Sequence, residues 1–293
     1  MAPVSRRNFL HTASIALIGT AGMPRLLAEI PGKKLFSAIG IAAPLDQAAA
    51  MKTAGAEFLT ENVGNFLVPD KPESEFEKNL AKLAFSPLPI LACNSFIRAA
   101  HLHCVGAAAN HDSVLEWSEI TFRRMQKAGG KIIVFGSGSA REIPDGWPKE
   151  KADAQFVALL KRMGPLAQTY GLTVTVEQLQ ADECNFINHI SEGAALIRAA
   201  GHPNIRLLAD LYHMACMGDS PAELKAAMDV VAHVEIAEKN GRTVPGVSGD
   251  DFRPFFRVLR EANYQGAISI EGKSTAAQLG PAFAEIAKQA REA

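Results

Sequence analysis

The chain has 293 residues, of which 48% are hydrophobic and 21% are charged, and these values are ordinary for a globular protein. Basic and acidic residues are mixed along the chain and give a formal net charge of −1, which excludes a generic polyanion partner such as nucleic acid. This length accommodates either two small domains or one large α/β barrel.

The first 28 residues differ in character from the rest of the chain. In "SRRNFLHTASIALIGTAG", Arg6 and Arg7 precede Phe9 and a modest apolar run, an order that resembles a twin-arginine export signal. The apolar run is too short, and too rich in Ala, Gly and Thr, for a comfortable membrane span. We therefore expect residues 1–28 to be an export signal that is cleaved near Ala28, and the protein to be periplasmic or otherwise exported. A retained N-terminal anchor is the alternative, and only then would the chain attach to a membrane.

Short apolar runs alternate with longer amphipathic ones from about residue 33 onward, which predicts alternating strands and helices. The runs that predict strands are 34–42, 56–62, 88–96, 131–138, 172–178, 205–213, 232–238 and 266–272. Their cores are β-branched and apolar on both faces, as in a parallel sheet covered by helices. Eight strand–helix units in about 260 residues predict one (β/α)8 TIM barrel as a single domain spanning residues 33–293. The open doubly wound alternative requires a G-x-G-x-x-G loop, and "FGSGSA" at 135–140 lacks that spacing.

Carboxylates stand at or near the ends of four consecutive predicted strands. They are Glu177, Asp210, Glu235 and Glu271. Since the carboxyl ends of barrel strands converge on one mouth, these four side chains should lie close together. Their mutual repulsion would amount to several kcal/mol if nothing neutralised it. The sequence therefore predicts a bound divalent cation at this mouth.

From about residue 33 to its end, the chain resembles the xylose-isomerase-like barrel superfamily, and within it the hydroxypyruvate isomerase and ketose 3-epimerase group. The resemblance lies in the segments "VFGSGSAREIPDGW", "VEQLQADECNFIN", "NIRLLADLYHM", "HVEIAEKNGRTVPG" and "GAISIEG". It implies that the four strand-end carboxylates are metal ligands. It also implies that His213 and Arg242 contact the substrate, and that Glu177 and Glu271 act as catalytic acid and base in an order that stays open.

Two positions depart from the pattern of that group. Glu235 stands where epimerases usually have His and hydroxypyruvate isomerases have Gln. His233, two residues earlier on the same strand face, is the alternative ligand, but it lies one layer deeper, so we expect Glu235 to bind the metal. Gln180 stands where relatives often have Asn, which leaves the substrate contacts near the fifth strand open. An all-oxygen ligand set favours Mn²⁺ over zinc, with Mg²⁺ or Co²⁺ as alternatives.

The activity that these inferences predict is a metal-dependent isomerisation or epimerisation of a small carbohydrate or a hydroxypyruvate-like keto-acid. One glutamate would remove a proton next to a carbonyl, giving an enediolate, and the other would return a proton. One alternative is a metal-dependent lyase or hydrolase that acts on keto-glycosides at the same site. The other is a non-catalytic, exported sugar-binding barrel. Whether the chain forms a homo-oligomer does not follow from the sequence.

Five further residues have both a structural and a functional interpretation. Glu61 and Asn94 end the second and third predicted strands and are secondary candidates for facing the pocket. Arg141 is expected to form a salt bridge in a loop, with substrate binding as the alternative. Trp147 either anchors a loop or covers a bound sugar. Glu238 either supports the metal site or is a solvated residue at the start of a loop.

Overall fold

Eight parallel strands form a closed barrel in the computed structural model of the protein, which describes residues 34–293. The strands are β1 (Ile39–Ala42), β2 (Leu59–Asn62), β3 (Ile90–Asn94), β4 (Ile132–Phe135), β5 (Thr173–Glu177), β6 (Ile205–Asp210), β7 (Val231–Ile236) and β8 (Ile268–Ile270). Each strand pairs in parallel with its neighbour in chain order, and β8 pairs with β1. The predicted export signal lies outside the described residues.

Helices follow every strand. They are α1 (Ala48–Ala54), α2 (Val63–Phe66), α3 (Glu73–Leu83), α4 (His111–Lys127), α5 (Gly138–Arg141), α6 (Lys149–Thr169), α7 (Ile190–Ala200), α8 (Leu211–Met217), α9 (Pro221–Ala227), α10 (Arg253–Glu261) and α11 (Ala276–Glu292), with a 3₁₀ turn at Leu45–Gln47. Within residues 34–293, no helix is both long enough and apolar enough to cross a bilayer. The predicted (β/α)8 barrel is confirmed, because each of the eight predicted strand segments overlaps one observed strand and the strands close in chain order.

The sixth predicted strand extends beyond the observed strand β6. The sequence predicts a strand over 205–213, whereas β6 ends at Asp210 and α8 begins at Leu211. The reason is a helix cap: the Asp210 carboxylate accepts hydrogen bonds from the backbone N–H groups of Tyr212 at 2.7 Å and His213 at 3.3 Å. His213 therefore lies in the first turn of a helix, directly above the end of its strand.

Strand alternation divides the core into two parts. One part lies between the strands and the helices, where Phe96 packs against Phe122 and Phe135. Side chains that alternate with these point into the barrel, where Ala92, Val134 and Leu208 form a small second cluster. The same alternation turns the carboxylates at the ends of β5, β6 and β7 toward the barrel axis.

Candidate metal centre and active site

Four carboxylates meet at the C-terminal mouth of the barrel. Glu177 and Asp210 are the last residues of β5 and β6, Glu235 is the next-to-last residue of β7, and Glu271 directly follows β8. One oxygen from each lies within 4.8 Å of an oxygen of every other. Asp210 and Glu235 are directly paired across the β6–β7 ladder, so the sheet itself holds two of the four side by side.

Glu177, Asp210 and Glu235 are buried and Glu271 is half-buried, and little positive charge balances the three buried carboxylates. Glu235 is fully buried, and neither of its carboxylate oxygens has a hydrogen-bond partner among the described residues. Burial raises the pKa of Glu235 well above its usual range, and the neighbouring carboxylates raise it further. The pKa values of Glu177, Asp210 and Glu271 are also raised, again by burial first. A divalent cation bound among these carboxylate oxygens would balance their negative charge.

A glycine makes room for one of these carboxylates. A Cβ atom added to Gly136, the residue after β4, would lie 2.1 Å from Oε2 of Glu177. Any larger residue would therefore push Glu177 away from the barrel axis.

His213 faces the carboxylates with a fixed tautomer. Its Nδ1 atom accepts a hydrogen bond from the backbone N–H of Gln180 at 3.1 Å, so the neutral ring carries its proton on Nε2. Burial lowers the pKa of His213 to about 3, which keeps the ring neutral. Nε2 lies 3.6 Å from Oε1 of Glu177 and 3.7 Å from Oδ2 of Asp210. Glu177, Asp210 and His213 are close enough to hold a metal, but an Nε2–H group is a donor and suits an oxygen of a bound molecule better.

His233 lies below the carboxylates and outside both groups of potential ligands found in residues 34–293. Its Nε2 atom is 4.0 Å from Oε1 of Glu235, and the ring is fully buried. Burial lowers the pKa of His233 to about 4. The register of β7 therefore brings Glu235, and not His233, level with the other three carboxylates.

Arg242 reaches the mouth from the loop after β7. Its Nη2 atom donates a hydrogen bond to Oε2 of Glu271, and its Nη1 atom donates to Oε1 of Glu183 at 3.1 Å. Its guanidinium lies 4.7 Å from the centre of the Tyr212 ring. On the other side, Asn94 donates from Nδ2 to Oε1 of Glu271 at 2.7 Å. Both oxygens of Glu271 therefore have a fixed donor.

Glu183 belongs to this site although the strand-end pattern of the sequence does not indicate it. It lies in the loop after β5, lines the cavity, and accepts hydrogen bonds from Arg242 and, at 2.9 Å, from Gln180. Its position in "EQLQADE", on the loop that follows a predicted ligand, is the signal that could have indicated it. Gln180 also donates to the Tyr212 hydroxyl at 3.1 Å, so its amide supports the site's side chains.

Glu238 has a different role from either predicted one. Its buried carboxylate accepts hydrogen bonds from the backbone N–H groups of Gly246 (2.8 Å), Ser248, Gly249 (2.9 Å) and Asp250 (3.3 Å), and from the Thr243 hydroxyl (2.9 Å). Burial opposes its charge, but these donors outweigh burial and lower the pKa of Glu238. The carboxylate thus organises the loop over 239–252, which carries Arg242.

The strain at Arg242 explains why the loop needs such an anchor. Arg242 has a backbone φ of 53°, which is unfavourable for a residue with a side chain. Its carbonyl accepts a hydrogen bond from Lys273 N–H at 2.7 Å, and the carbonyl of Thr243 accepts one from Glu238 N–H at 2.8 Å. The first contact holds the loop against the segment after β8, and the second closes the loop on its own start.

Three of the remaining candidates lie outside the cavity. The Glu61 carboxylate accepts hydrogen bonds from the backbone N–H groups of Leu45 and Asn62, and so has a structural role. Trp147 is half-buried and packs on the core. The Lys151 Nζ atom lies 5.7 Å from the centre of the Trp147 ring. The expected salt bridge of Arg141 is wrong, because its guanidinium is fully buried and forms no ion pair with any residue in 34–293.

The cavity at the mouth has a volume of about 270 Å³. Its lining residues are Asn94, Ser95, Ile97, Arg98, Gly136, Ser137, Gly138, Ser139, Glu177, Leu179, Glu183, His213, Arg242 and Glu271. The volume is close to the lower end of the usual range for small-molecule sites, about 300–1,000 Å³. The site is therefore of a size for one small, polar molecule.

Comparison with known proteins identifies the family. A family model described as xylose isomerase-like TIM barrel matches residues 45–292, and the chain belongs to this family. Over 123 residues it is 32% identical to L-ribulose 3-epimerase of Methylomonas sp. (strain DH-1), which covers 42% of this chain and 43% of that enzyme. Over 176 residues it is 29% identical to 3-dehydro-D-guloside 4-epimerase of Escherichia coli (strain K12), which covers 58% of this chain and 67% of that enzyme.

A solved structure extends the likeness over most of the barrel. Apo 3-keto-D-glucoside 4-epimerase from E. coli has a TM-score of 0.70 and 20% sequence identity, over 84% of this chain and 97% of that one. At this identity the likeness shows the shared fold. In sequence, the chain spans less than half of the Methylomonas enzyme and about two thirds of the E. coli enzyme.

The first prediction concerns Glu238. Glu238→Gln removes the negative charge to which the loop N–H groups donate hydrogen bonds. The loop over 239–252 should therefore open more often while the barrel stays folded. We expect amide hydrogen exchange in this loop to accelerate about tenfold or more, since hydrogen bonds to a charged group are stronger than neutral ones. Mass spectrometry of the exchange measures this, with Glu77→Gln on the exposed face of α3 as the matched control. Unchanged exchange in the loop would show that Glu238 does not anchor it.

The second prediction concerns pH. A carboxyl whose pKa is raised by folding stabilises the protein below its unfolded pKa, about 4, and this contribution is lost as pH rises through the folded pKa. The carboxyl contribution to the melting temperature of the metal-free protein should therefore be smaller at pH 8 than at pH 5. The lowered pKa values of the buried His213 and His233 act in the opposite sense below their unfolded pKa of about 6.5, so the comparison between wild type and a carboxyl variant, rather than the total pH profile, isolates the carboxyls. Glu235→Gln removes one buried charge and should raise the metal-free melting temperature at pH 8, by about 2–4 °C for each kcal/mol relieved.

His189 contributes a pH dependence of the same sign, because its hydrogen bond to Asp219 raises the pKa of His189. The difference between wild type and Glu235→Gln cancels that contribution, since the variant keeps both residues. Scanning calorimetry in the presence of a chelator measures the difference. A lower melting temperature for Glu235→Gln than for wild type at pH 8 would contradict the account.

Proposed function

We propose that this protein is a divalent-metal-dependent sugar isomerase or epimerase that moves a proton next to a carbonyl group. The observation that carries the proposal is the cluster of four carboxylates at the barrel mouth, three of them buried and Glu271 half-buried, and two of the four border the same cavity as His213 and Arg242. Membership of the xylose isomerase-like family and the named activities of the relatives support it.

The donor set suits a hard divalent cation. The ligands would be Glu177, Asp210, Glu235 and Glu271, and the unpartnered oxygens of Glu235 support this assignment within the described part of the chain. We take Mn²⁺ as the metal, with Mg²⁺ or Co²⁺ as alternatives, because all four donors are carboxylates. When bound, such an ion would supply positive charge that polarises a carbonyl and holds a neighbouring hydroxyl oxygen of the substrate.

Glu177 and Glu271 are the proposed acid and base. They come from β5 and β8, which are three strands apart in the barrel, so they approach the centre from different sides. Burial raises the pKa of each carboxyl and so favours its protonated form, and two interacting carboxyls titrate as a pair. One removes the carbon-bound proton, and the other delivers a proton to the opposite face or to the adjacent carbon.

The other side chains of the inner site hold substrate oxygens. The Nε2–H of His213 is a donor with no hydrogen-bond partner in residues 34–293, and it points at the space between Glu177 and Asp210. Arg242 and Glu183 form a paired donor and acceptor at the cavity edge, which suits a hydroxyl group that both donates and accepts. These contacts fix which carbon faces the two glutamates.

A keto sugar is the substrate class that we propose. The relatives are named for L-ribulose, 3-dehydro-D-guloside and 3-keto-D-glucoside, all of which have a ketone beside a hydroxyl-bearing carbon. A hydroxypyruvate-like keto-acid is the smaller alternative. We also propose that the protein acts outside the cytoplasm, on the basis of the twin-arginine pattern in residues 1–28.

Solvent deuterium exchange tests this function. Metal-loaded protein is incubated in D₂O with a panel of ketopentoses, ketohexoses, 3-keto-glycosides and hydroxypyruvate, and the products are analysed by NMR. We expect deuterium on the carbon beside the carbonyl. Glu177→Gln and Glu271→Gln should each slow this exchange by about 10²–10⁴-fold at saturating metal, while Glu77→Gln should not.

The products distinguish the possible reactions. An inverted centre identifies an epimerase, movement of the carbonyl identifies an isomerase, and loss of a substituent identifies a lyase. Turnover without deuterium incorporation would replace the two-glutamate mechanism with a direct hydride shift and leave the carboxylates as ligands only. Sugar binding without any turnover would contradict enzymatic function and leave a binding protein.

A further inference from the structure

The cavity has a second side that the proposed chemistry does not use. The residues Ser95, Ile97, Arg98 and 137–139 line it, and we call this set the outer wall. They follow β3 and β4, whereas the four carboxylates lie at the ends of β5 to β8. Since the strands close in chain order, the outer wall stands opposite the ends of β7 and β8. A molecule that reaches the carboxylates with one end would touch the outer wall with the other.

The two loops of the outer wall hold each other in place. Ser95 and Ser137, each near the end of its strand, have φ values of 54° and 20°, in or near a region that side chains disfavour. The backbone N–H of Ile97 donates to Oγ of Ser137 at 2.9 Å, and the carbonyl of Phe96 accepts a hydrogen bond from Nε1 of Trp117 at 2.9 Å. Strained residues that neighbouring contacts fix in this way cluster at ligand sites. Because Ser137 Oγ accepts this bond, its own O–H remains available as a donor.

Arg98 is the unbalanced charge of the outer wall. It lines the cavity and is exposed to it, and it forms no ion pair or hydrogen bond with any residue in 34–293. The other cation that lines the cavity, Arg242, is already paired with Glu271 and Glu183. The outer wall contributes no carboxylate from the described chain. The cavity therefore has an acidic inner end and a cationic outer wall.

The uncharged side chains that line the cavity are also mostly polar. Of the cavity-lining residues in the described chain, only Ile97 and Leu179 have apolar side chains, and none is Phe, Tyr or Trp. Small-molecule pockets usually rely on apolar and aromatic lining with a few polar groups, so this cavity offers little to an apolar substituent. Serine hydroxyls beside a free guanidinium are the donors that an anionic group uses.

We propose that the substrate is a sugar with an anionic group, a carboxylate or a phosphate, at the end remote from its keto carbon, and that Arg98 binds this group. The proposal rests on the proposed function, since it assumes that the carbonyl end faces Glu177 and Glu271. Even with a divalent cation bound, the four carboxylates keep the inner end negative, so an anionic group is repelled there and attracted to Arg98. The charge distribution thereby sets one orientation of the substrate.

Binding of unreactive probes tests this inference independently of turnover. Dissociation constants of D-glucitol, D-gluconate and D-glucitol 6-phosphate are measured by calorimetry on Mn²⁺-loaded full-length protein. We expect wild type to bind at least one of the two anionic probes about tenfold or more tightly than D-glucitol. Arg98→Gln should reduce this preference to about threefold or less, because the anionic probes lose more affinity than D-glucitol does, whereas Arg98→Lys should retain much of it. Arg257→Gln, on the exposed side of α10, is the matched control and should behave as wild type.

The two anionic probes distinguish a carboxylate from a phosphate, and a preference for either that depends on Arg98 supports the inference. Equal binding of all three probes by wild type would overturn it. A preference that survives in Arg98→Gln would also overturn it, because the anion would then bind elsewhere, for instance at the metal. If the solvent-exchange panel shows no reaction but the preference depends on Arg98, the proposed function fails and the anion site stands.

Discussion

Mutual repulsion among four carboxylates, three buried and one half-buried, is the constraint around which this barrel is built. Their oxygens lie within 4.8 Å of one another, and at an effective dielectric constant of about 20 each charged pair at such a distance costs about 3–4 kcal/mol. Arg242 is the cation in direct contact with this group among residues 34–293, and it contacts Glu271 rather than the deeply buried Glu235. The charges must therefore be reduced by protons or balanced by a cation. Protonation would leave carboxyl groups that can donate protons, and a bound cation would make the cluster a metal centre.

The fold tolerates this repulsion because each carboxylate is held by a separate part of the structure. Asp210 uses one oxygen, Oδ1, to cap α8 and leaves Oδ2 facing the site. Glu271 is held from both sides by Asn94 and Arg242. Glu238, which lies outside the cluster, fixes the loop that supplies Arg242. The barrel thus uses capping, ion pairing and loop anchoring to keep like charges together.

Much of this arrangement can be read from the sequence, for a simple reason. The alternation of apolar runs and amphipathic segments specifies strands and helices locally, and barrel closure then brings strand ends together. The four strand-end carboxylates follow from that rule alone, as does the choice of Glu235 over His233, since side chains on one strand face are separated by two residues. Asn94, a secondary candidate in the sequence, contacts Glu271 because β3 ends at the same level.

What the sequence does not specify depends on contacts between distant segments. The role of Glu238 requires the loop over 239–252 to fold back on it, and Glu183 matters because a turn brings it to Arg242, 59 residues later in the chain. The burial of Arg141 and the early start of α8 have similar origins, since a buried position and a helix cap depend on the packing around them. Loop conformation, more than strand position, limits what sequence reasoning recovers here.

Metal binding by strand-seven variants tests the central claim most directly. Metal-free wild type, Glu235→Ala and His233→Ala are titrated with Mn²⁺ by calorimetry, and metal content is measured after gel filtration. The account predicts about one Mn²⁺ per wild-type chain, an affinity loss of about tenfold or more in Glu235→Ala, and an affinity within a few-fold of wild type in His233→Ala. Loss of the metal in His233→Ala but not in Glu235→Ala, or no binding by wild type, would contradict it.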